Sequence, residues 1–247
     1  MRSRLATAGL FLLASAIALP PAAGAAEPVA PKPLAKLRIV LVGDSTVASY
    51  ANPPADRPTL TGWGQVLGEF FQEPIEIVNL ARSGASSKSY LKSGLWQKAL
   101  AANGDYIFIQ FGHNDQPGKG PERESAADGE FRDNLRRFIH EAGRAGAEPV
   151  LVTPVVRRIF VDGKIDNSLR PYAEAMLAIG EEHEVPVIDL NRASVALFDK
   201  LGDEGSGDFS PSPSDRSHFS RKGALAIAGL VAEGVRKQIP GLVVYLK

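Results

Sequence analysis

In the stretch LVGDSTVASY, an apolar run stops at Gly43, and Asp44, Ser45 and Thr46 follow at once. A serine hydroxyl becomes a nucleophile only when an adjacent base takes its proton. The candidate bases are His113, His140, His183 and His218. His140 and His183 fall inside helix-forming stretches, which makes them ordinary surface or packing residues. His218 stands in SDRSHFS, just before the last helix, with Asp215 three residues earlier. In a turn, that spacing lets the carboxylate accept from the imidazole, as the acid does in a Ser-His-Asp triad. The same spacing also suits Asp215 or Ser217 as the cap of the last helix, and the motif alone favours the cap.

Acyl transfer also needs donors for a developing oxyanion. Asn114 in FGHND has a side-chain amide at a strand end, where one donor is worth roughly 3–4 kcal/mol. Gly84 offers a backbone N–H that a ligand can approach closely, and it is equally a glycine of the kind loops use for positive φ. The N–H of Ser45 itself is a third donor. No G-x-S-x-G occurs, so the strained nucleophile elbow is absent. No G-x-x-x-x-G-K-[ST] occurs either, which removes a phosphate-cradling loop. A two-metal phosphoesterase could draw on Asp44, His113, Asn114, Asp115 and His218, but the density of ligands is low for bridging two metals.

These residues must be carried to one place by the fold. Five short apolar, β-branched runs recur: 37–43, 75–81, 105–112, 147–154 and 185–190. Runs that are apolar throughout read as strands covered on both faces. Stretches of helical spacing alternate with them. In the clearest, Phe131, Leu135, Phe138, Ile139 and Ala142 form one stripe. The others are WGQVLGEFF, LWQKALAA, RPYAEAMLAIGEEH and KGALAIAGLVAEGVRKQI. This alternation predicts an α/β fold, a three-layer αβα sandwich around a central five-stranded parallel sheet. Ligands in such folds bind beyond the carboxyl ends of the strands. Ser45, Gly84, His113, Asn114, Thr153 and Arg157 all fall at those ends.

The chain begins with Arg2 and Arg4, then an apolar stretch to about Leu19, then Ala23-Gly24-Ala25. That pattern predicts a secretory signal peptide over 1–25, too short to span a bilayer as a lasting helix. A proline-rich tether over 26–36 leads into a single domain over 37–247. The expected location is therefore periplasmic or extracellular, without stable membrane insertion after cleavage. Basic and acidic residues number 28 each, a balance that argues against a nucleic-acid partner. There is no cysteine, so thiol chemistry and disulfides are excluded.

GDST, N-x-A-x-x-G, GHND and D-x-x-H, in this order and on these elements, resemble the SGNH (GDSL-type) hydrolase superfamily, with its flavodoxin-like fold. The likeness runs from Arg38 to the last helix. It implies Ser45 as nucleophile, Asp215 and His218 as acid and base, and Ser45, Gly84 and Asn114 as the oxyanion hole. Within the superfamily, GDSTVA, TGWGQ, GASSKSY, FGHND, TPVVRR and SHFSRKGA are closest to rhamnogalacturonan acetylesterase-like carbohydrate esterases. Ala85 stands where an arginine often follows the glycine of the second block, with Arg82 and Lys88 nearby. Ser217 stands where threonine is more usual.

The implied reaction is hydrolysis of an O-acetyl ester on a plant-type polysaccharide through an acetyl-serine, needing no metal or organic cofactor. The partner is then an acetylated polysaccharide or oligosaccharide. Trp63 is a candidate to stack on a sugar ring, and Arg157 and Arg158 are candidates to pair with a uronate carboxylate. Two further readings remain open: a lipase or thioesterase of the same superfamily, and a catalytically silent glycan-binding domain.

Overall fold

The computed structural model of the protein describes residues 34–247. The segment expected as a signal peptide and most of the tether lie outside the described residues. Residues 34–36 run without regular structure into the first strand.

The five expected strands form one sheet. They are β1 (Leu37–Gly43), β2 (Ile75–Asn79), β3 (Tyr106–Gln110), β4 (Glu148–Val152) and β5 (Val187–Ile188). All pairings are parallel, in the order β2-β1-β3-β4-β5. In register, Leu41 lies opposite Asn79 and Gly43 opposite Gln110, so the three strands end together. The chain leaves β1 for one side of the sheet and returns on the other. That makes the β1–β3 boundary the topological switch point, where such sheets place their ligand.

Alternating side chains of each inner strand go to opposite layers. Ile39, Leu41, Phe108, Val150 and Val152 join one apolar cluster, with Ile227 and Val231. Val40, Val42, Ile107, Ile109 and Leu151 join the other, with Trp96, Leu135, Phe138 and Ile179. The first layer holds α1 (Trp63–Val66), α6 (Leu190–Gly205), α7 (Arg221–Gln238) and α8 (Pro240–Val243). The second holds α2 (Ser87–Lys92), α3 (Leu95–Ala101), α4 (Glu130–Arg144) and α5 (Arg170–Glu182). Near-continuous apolar strands follow from having both faces covered. The α4 residues buried are the five of the expected stripe.

Some local expectations change. β2 is an edge strand, half-buried along its length rather than covered on both faces. WGQVLGEFF does not make one helix. After α1 the chain tightens into a 3-10 turn over Leu67–Phe70, closed by Phe71 N–H on Gly68 O (3.2 Å). The run 185–190 yields only two strand residues, because the Asp189 side chain accepts from Arg192 N–H and starts α6 there. α2 is unannounced by any apolar period. A reciprocal cap between Ser86 and Ser89 starts it inside a serine-rich stretch that reads as loop. Among the described residues, no helix is long and apolar enough to cross a membrane.

Candidate active site

The turn after β1 is built on Asp44. Its carboxylate is fully buried and accepts from Thr46 N–H (2.8 Å) and Thr46 Oγ1 (2.7 Å), while its carbonyl accepts from Val47 and Ala48. The second carboxylate oxygen faces His113 Nδ1 at 3.1 Å. Burial pushes the Asp44 carboxyl up, but His113 and the Thr46 donors outweigh it and hold it below the usual carboxylate range. Asp44 thus braces the loop and leaves Ser45 at its crest, 9% exposed.

The TGWG segment packs against this turn. A Cβ on Gly62 would sit 2.2 Å from Ala48 O, so only glycine fits that approach. Trp63 N–H donates to Thr46 O (2.8 Å), and its indole donates to Gln110 Oε1 (3.0 Å) at the end of β3. Gln110 Nε2 in turn donates to Thr46 Oγ1 at 2.6 Å. The expectation that Trp63 stacks on a sugar fails. The ring is 1% exposed and serves to fix the serine loop.

The second component comes from the loop before α7. Asp215 Oδ1 accepts from the N–H groups of Ser217 and His218, both at 2.9 Å. That closes a turn in which His218 Nδ1 lies 2.9 Å from Asp215 Oδ2. His218 Nε2 lies 2.9 Å from Ser45 Oγ. With a proton on Nδ1 facing the carboxylate, Nε2 is left as the acceptor for the serine hydroxyl. Neither Asp215 nor Ser217 caps α7. Ser220 does, accepting from Gly223 N–H. Phe219 and Ser220 also pair with Leu60 and Thr61, which clips the histidine loop to the TGWG segment. Burial raises the Asp215 carboxyl, and the two backbone donors and His218 outweigh it, leaving it below its ordinary value. Arg57, which no sequence motif singled out, reaches Asp215 Oδ2 at 3.3 Å.

The third component joins the loops after β2 and β3. Arg82 N–H donates to Gly43 O (2.9 Å), which seats the second loop beside the serine turn. Gly84 follows with φ of 79°, a left-handed conformation that favours glycine. Asn114 Nδ2 donates to Ala85 O (2.9 Å), using one of its two amide hydrogens. Among the described residues, the N–H groups of Ser45 and Gly84 find no protein acceptor. Behind Asn114, Asp115 accepts from Gly112 N–H (3.0 Å), Ser87 N–H (3.0 Å) and Ser87 Oγ (2.5 Å), tying the FGHND loop to the start of α2. Burial pushes its carboxyl up to about 7 against the pull of those donors.

The two arginines expected at a substrate rim are committed elsewhere. Arg157 donates to Gln116 Oε1 (2.6 Å), Ser168 Oγ (3.3 Å) and His113 O (3.2 Å), so it braces the loop that carries Asn114. Arg158 is 3% exposed and donates to Ser206 Oγ, Ser210 Oγ, and the backbone carbonyl and Oδ1 of Asp203. Its own N–H donates to Arg216 O (2.7 Å), next to Asp215, and Arg216 closes the ring onto Asp203. It clamps the acid loop and has no arm left for a sugar. His140 and His183 pack edge to face on each other, ring centroids 5.1 Å apart, rather than on the serine. Among the described residues, no group of three or more His, Cys, Asp or Glu is placed to hold a metal ion. Asp44, Asp115 and the Nδ1 of His113 are spent on loop contacts.

The sequence pattern of the GDSL-like lipase/acylhydrolase family matches residues 41–226, from the end of β1 into α7. The rhamnogalacturonan acetylesterase RhgT of Bacillus subtilis is 40% identical over 81% of this chain and 90% of its own length. A rhamnogalacturonan acetylesterase of Emericella nidulans is 25% identical over 80% of this chain and 84% of its own. Among solved structures, the Bacillus subtilis protein YxiM superposes with a TM-score of 0.73 at 29% identity. That match covers 85% of this chain, which spans 59% of the YxiM chain. The acetylxylan esterase Axe2 of Geobacillus stearothermophilus shares the fold, with a TM-score of 0.61 at 20% identity over 83% of this chain and 94% of its own. On the extent of the family match and of these identities, the chain belongs to the GDSL-like lipase/acylhydrolase family.

Proposed function

We propose that the protein is an exported serine esterase that removes O-acetyl groups from a plant-type polysaccharide such as rhamnogalacturonan. The chemistry rests on one observation, the 2.9 Å approach of His218 Nε2 to Ser45 Oγ with Asp215 behind the imidazole. The substrate class rests on the 40% identity to RhgT across most of both chains. Export rests on the signal-like segment 1–25, which would deliver the enzyme to a periplasm or the medium.

In the acylation step Ser45 Oγ attacks the ester carbonyl carbon while His218 Nε2 takes the hydroxyl proton. The carbonyl electrons move onto oxygen, and the oxyanion is held by Ser45 N–H, Gly84 N–H and the second amide hydrogen of Asn114. Collapse breaks the bond to the sugar oxygen, which leaves with the proton from His218 as an alcohol. Water then attacks the acetyl-serine, gives its proton to the same nitrogen, and acetate departs as Ser45 regains its hydrogen. Asp215 keeps Nδ1–H pointed away from the serine throughout and stabilises the imidazolium. None of these steps calls on a metal or cofactor.

Acetate release from acetylated rhamnogalacturonan, measured beside hydrolysis of long-chain acyl esters, tests the reading. It predicts acetate release with little long-chain turnover. Preference for the long-chain esters would favour the lipase-type alternative instead.

A further inference from the structure

Two cations without a protein ion-pair partner among the described residues, Arg82 and Lys98, line one cleft with Gly84. A cleft of about 490 Å³ is lined by Arg82, Ser83, Gly84, Lys98, Glu122 and Arg123, among others. Arg123 is partly answered by Glu122, 3.3 Å away. Neither Arg82 nor Lys98 is ion-paired among the described residues. Lys88, close by in sequence, is closed off by Glu130 (2.6 Å) and Pro121 O (3.2 Å). The cleft therefore carries two unanswered positive charges in a concave wall, where an anion is held far better than on an open surface.

The backbone that carries these cations is fixed. Arg82 is pinned through its own N–H on Gly43 O (2.9 Å) and its carbonyl under Ala85 N–H (3.1 Å), and Lys98 sits on α3. Gly84 lines the cleft and is also one of the proposed oxyanion donors. A Cβ there would meet nothing within 4 Å, so the space at its edge is open. Ser83, Ser89 and Ser93 also line the cleft, with the Ser89 hydroxyl held by the α2 cap and Ser93 Oγ donating to Tyr90 O (3.2 Å). A guanidinium matches a carboxylate with two parallel bonds, which an ammonium alone does not.

We propose that Arg82 and Lys98 form a subsite for the carboxylate of a uronic acid residue that neighbours the acetylated sugar on the same glycan. This subsite rests on the carbohydrate-ester reading given above. It transfers the carboxylate-pairing role from Arg157 and Arg158, which are spent on loops, to the flank of the oxyanion donors.

Binding of an oligogalacturonate to the full chain, compared by calorimetry with the same oligomer whose carboxyls have been reduced to alcohols, tests it. The wild-type chain is expected to bind the acidic oligomer about tenfold or more tightly than the reduced one. Arg82→Gln with Lys98→Gln should bring the two affinities within about twofold of each other, with thermal unfolding showing that the variant is folded. Equal affinity of the wild-type chain for the two oligomers, or failure to bind either, would overturn the subsite. So would an acidic preference that survives in the double variant. The readout is binding alone, so it stands apart from acetate release, whose absence would instead sink the proposed activity.

Discussion

Asp44 and Ser45 are neighbours in sequence, and each faces a histidine, with opposite consequences. Asp44 meets His113 Nδ1 at 3.1 Å where both side chains are almost sealed from solvent, and His113 Nε2 has no partner. Asp215 meets His218 Nδ1 at 2.9 Å where the side chains are 11% and 23% exposed, and His218 Nε2 reaches Ser45 Oγ. The chemistry of the two pairs is the same, an imidazole held by a carboxylate. Only one presents its far nitrogen to a hydroxyl at an open edge. An aspartate beside a histidine is thus no signature of a base. The destination of Nε2 decides whether the pair can move a proton or merely fasten two loops.

The largest effect that this contrast predicts comes from exchanging the roles of the histidines. His218→Ala should lower ester hydrolysis by about 10⁵-fold or more, with little change in the urea midpoint. His113→Ala should do the reverse, costing stability while the folded fraction keeps most of its activity. If the two variants lose activity equally, the contrast collapses. Next in size, Asp215→Asn should cut kcat by about 10⁴-fold with KM nearly unmoved, because the amide holds the wrong tautomer. A drop below about tenfold would mean that Asp215 does not orient the base.

Asp44→Ala should cost about 3–5 kcal/mol in urea unfolding, since it strands a buried imidazole and frees the Thr46 donors. A cost under about 1 kcal/mol would show that the buried pair fastens nothing.

The smallest expected effect is a pH slope. The Asp44 and Asp215 carboxyls are lowered, so their pairings contribute stability that is complete above the ordinary carboxylate range and is lost as pH falls through their lowered values. Asp115, raised to about 7, has the opposite sign: its contribution is complete below the ordinary aspartate range and lost as pH climbs to about 7. Urea midpoints at mildly acid and mildly alkaline pH should therefore diverge less in Asp115→Asn than in the wild type. An unchanged divergence would remove Asp115 as its source.

Much of this arrangement was legible in the chain because the strands are local and nearly pure. Five apolar runs gave the sheet, and the polar residues at their ends gave the loops that meet at the switch point. Ser45, Gly84, Asn114 and the Asp215–His218 turn could be read because each lies in a short stretch with its own spacing. The misreadings share a cause. Trp63 looked like a platform, yet its partner Gln110 lies 47 positions away. Arg158 looked like a rim cation, yet Ser206 and Ser210 lie 48 and 52 positions away and draw it inside. Long side chains go where distant partners satisfy them, and no local period announces that. Arg57 beside Asp215 was hidden for the same reason, 158 positions from the carboxylate it meets. The helices α2 and α6 were missed differently, because their starts lie in a serine-rich loop and inside an apolar run.

The central claim is that Ser45 is made nucleophilic by His218, and a fluorophosphonate that labels activated serines tests it most directly. Peptide mapping of the labelled chain should place one adduct on Ser45, with labelling abolished in Ser45→Ala and in His218→Ala but kept in His113→Ala. An adduct on another residue, or one on Ser45 that forms as fast without His218, would contradict the account.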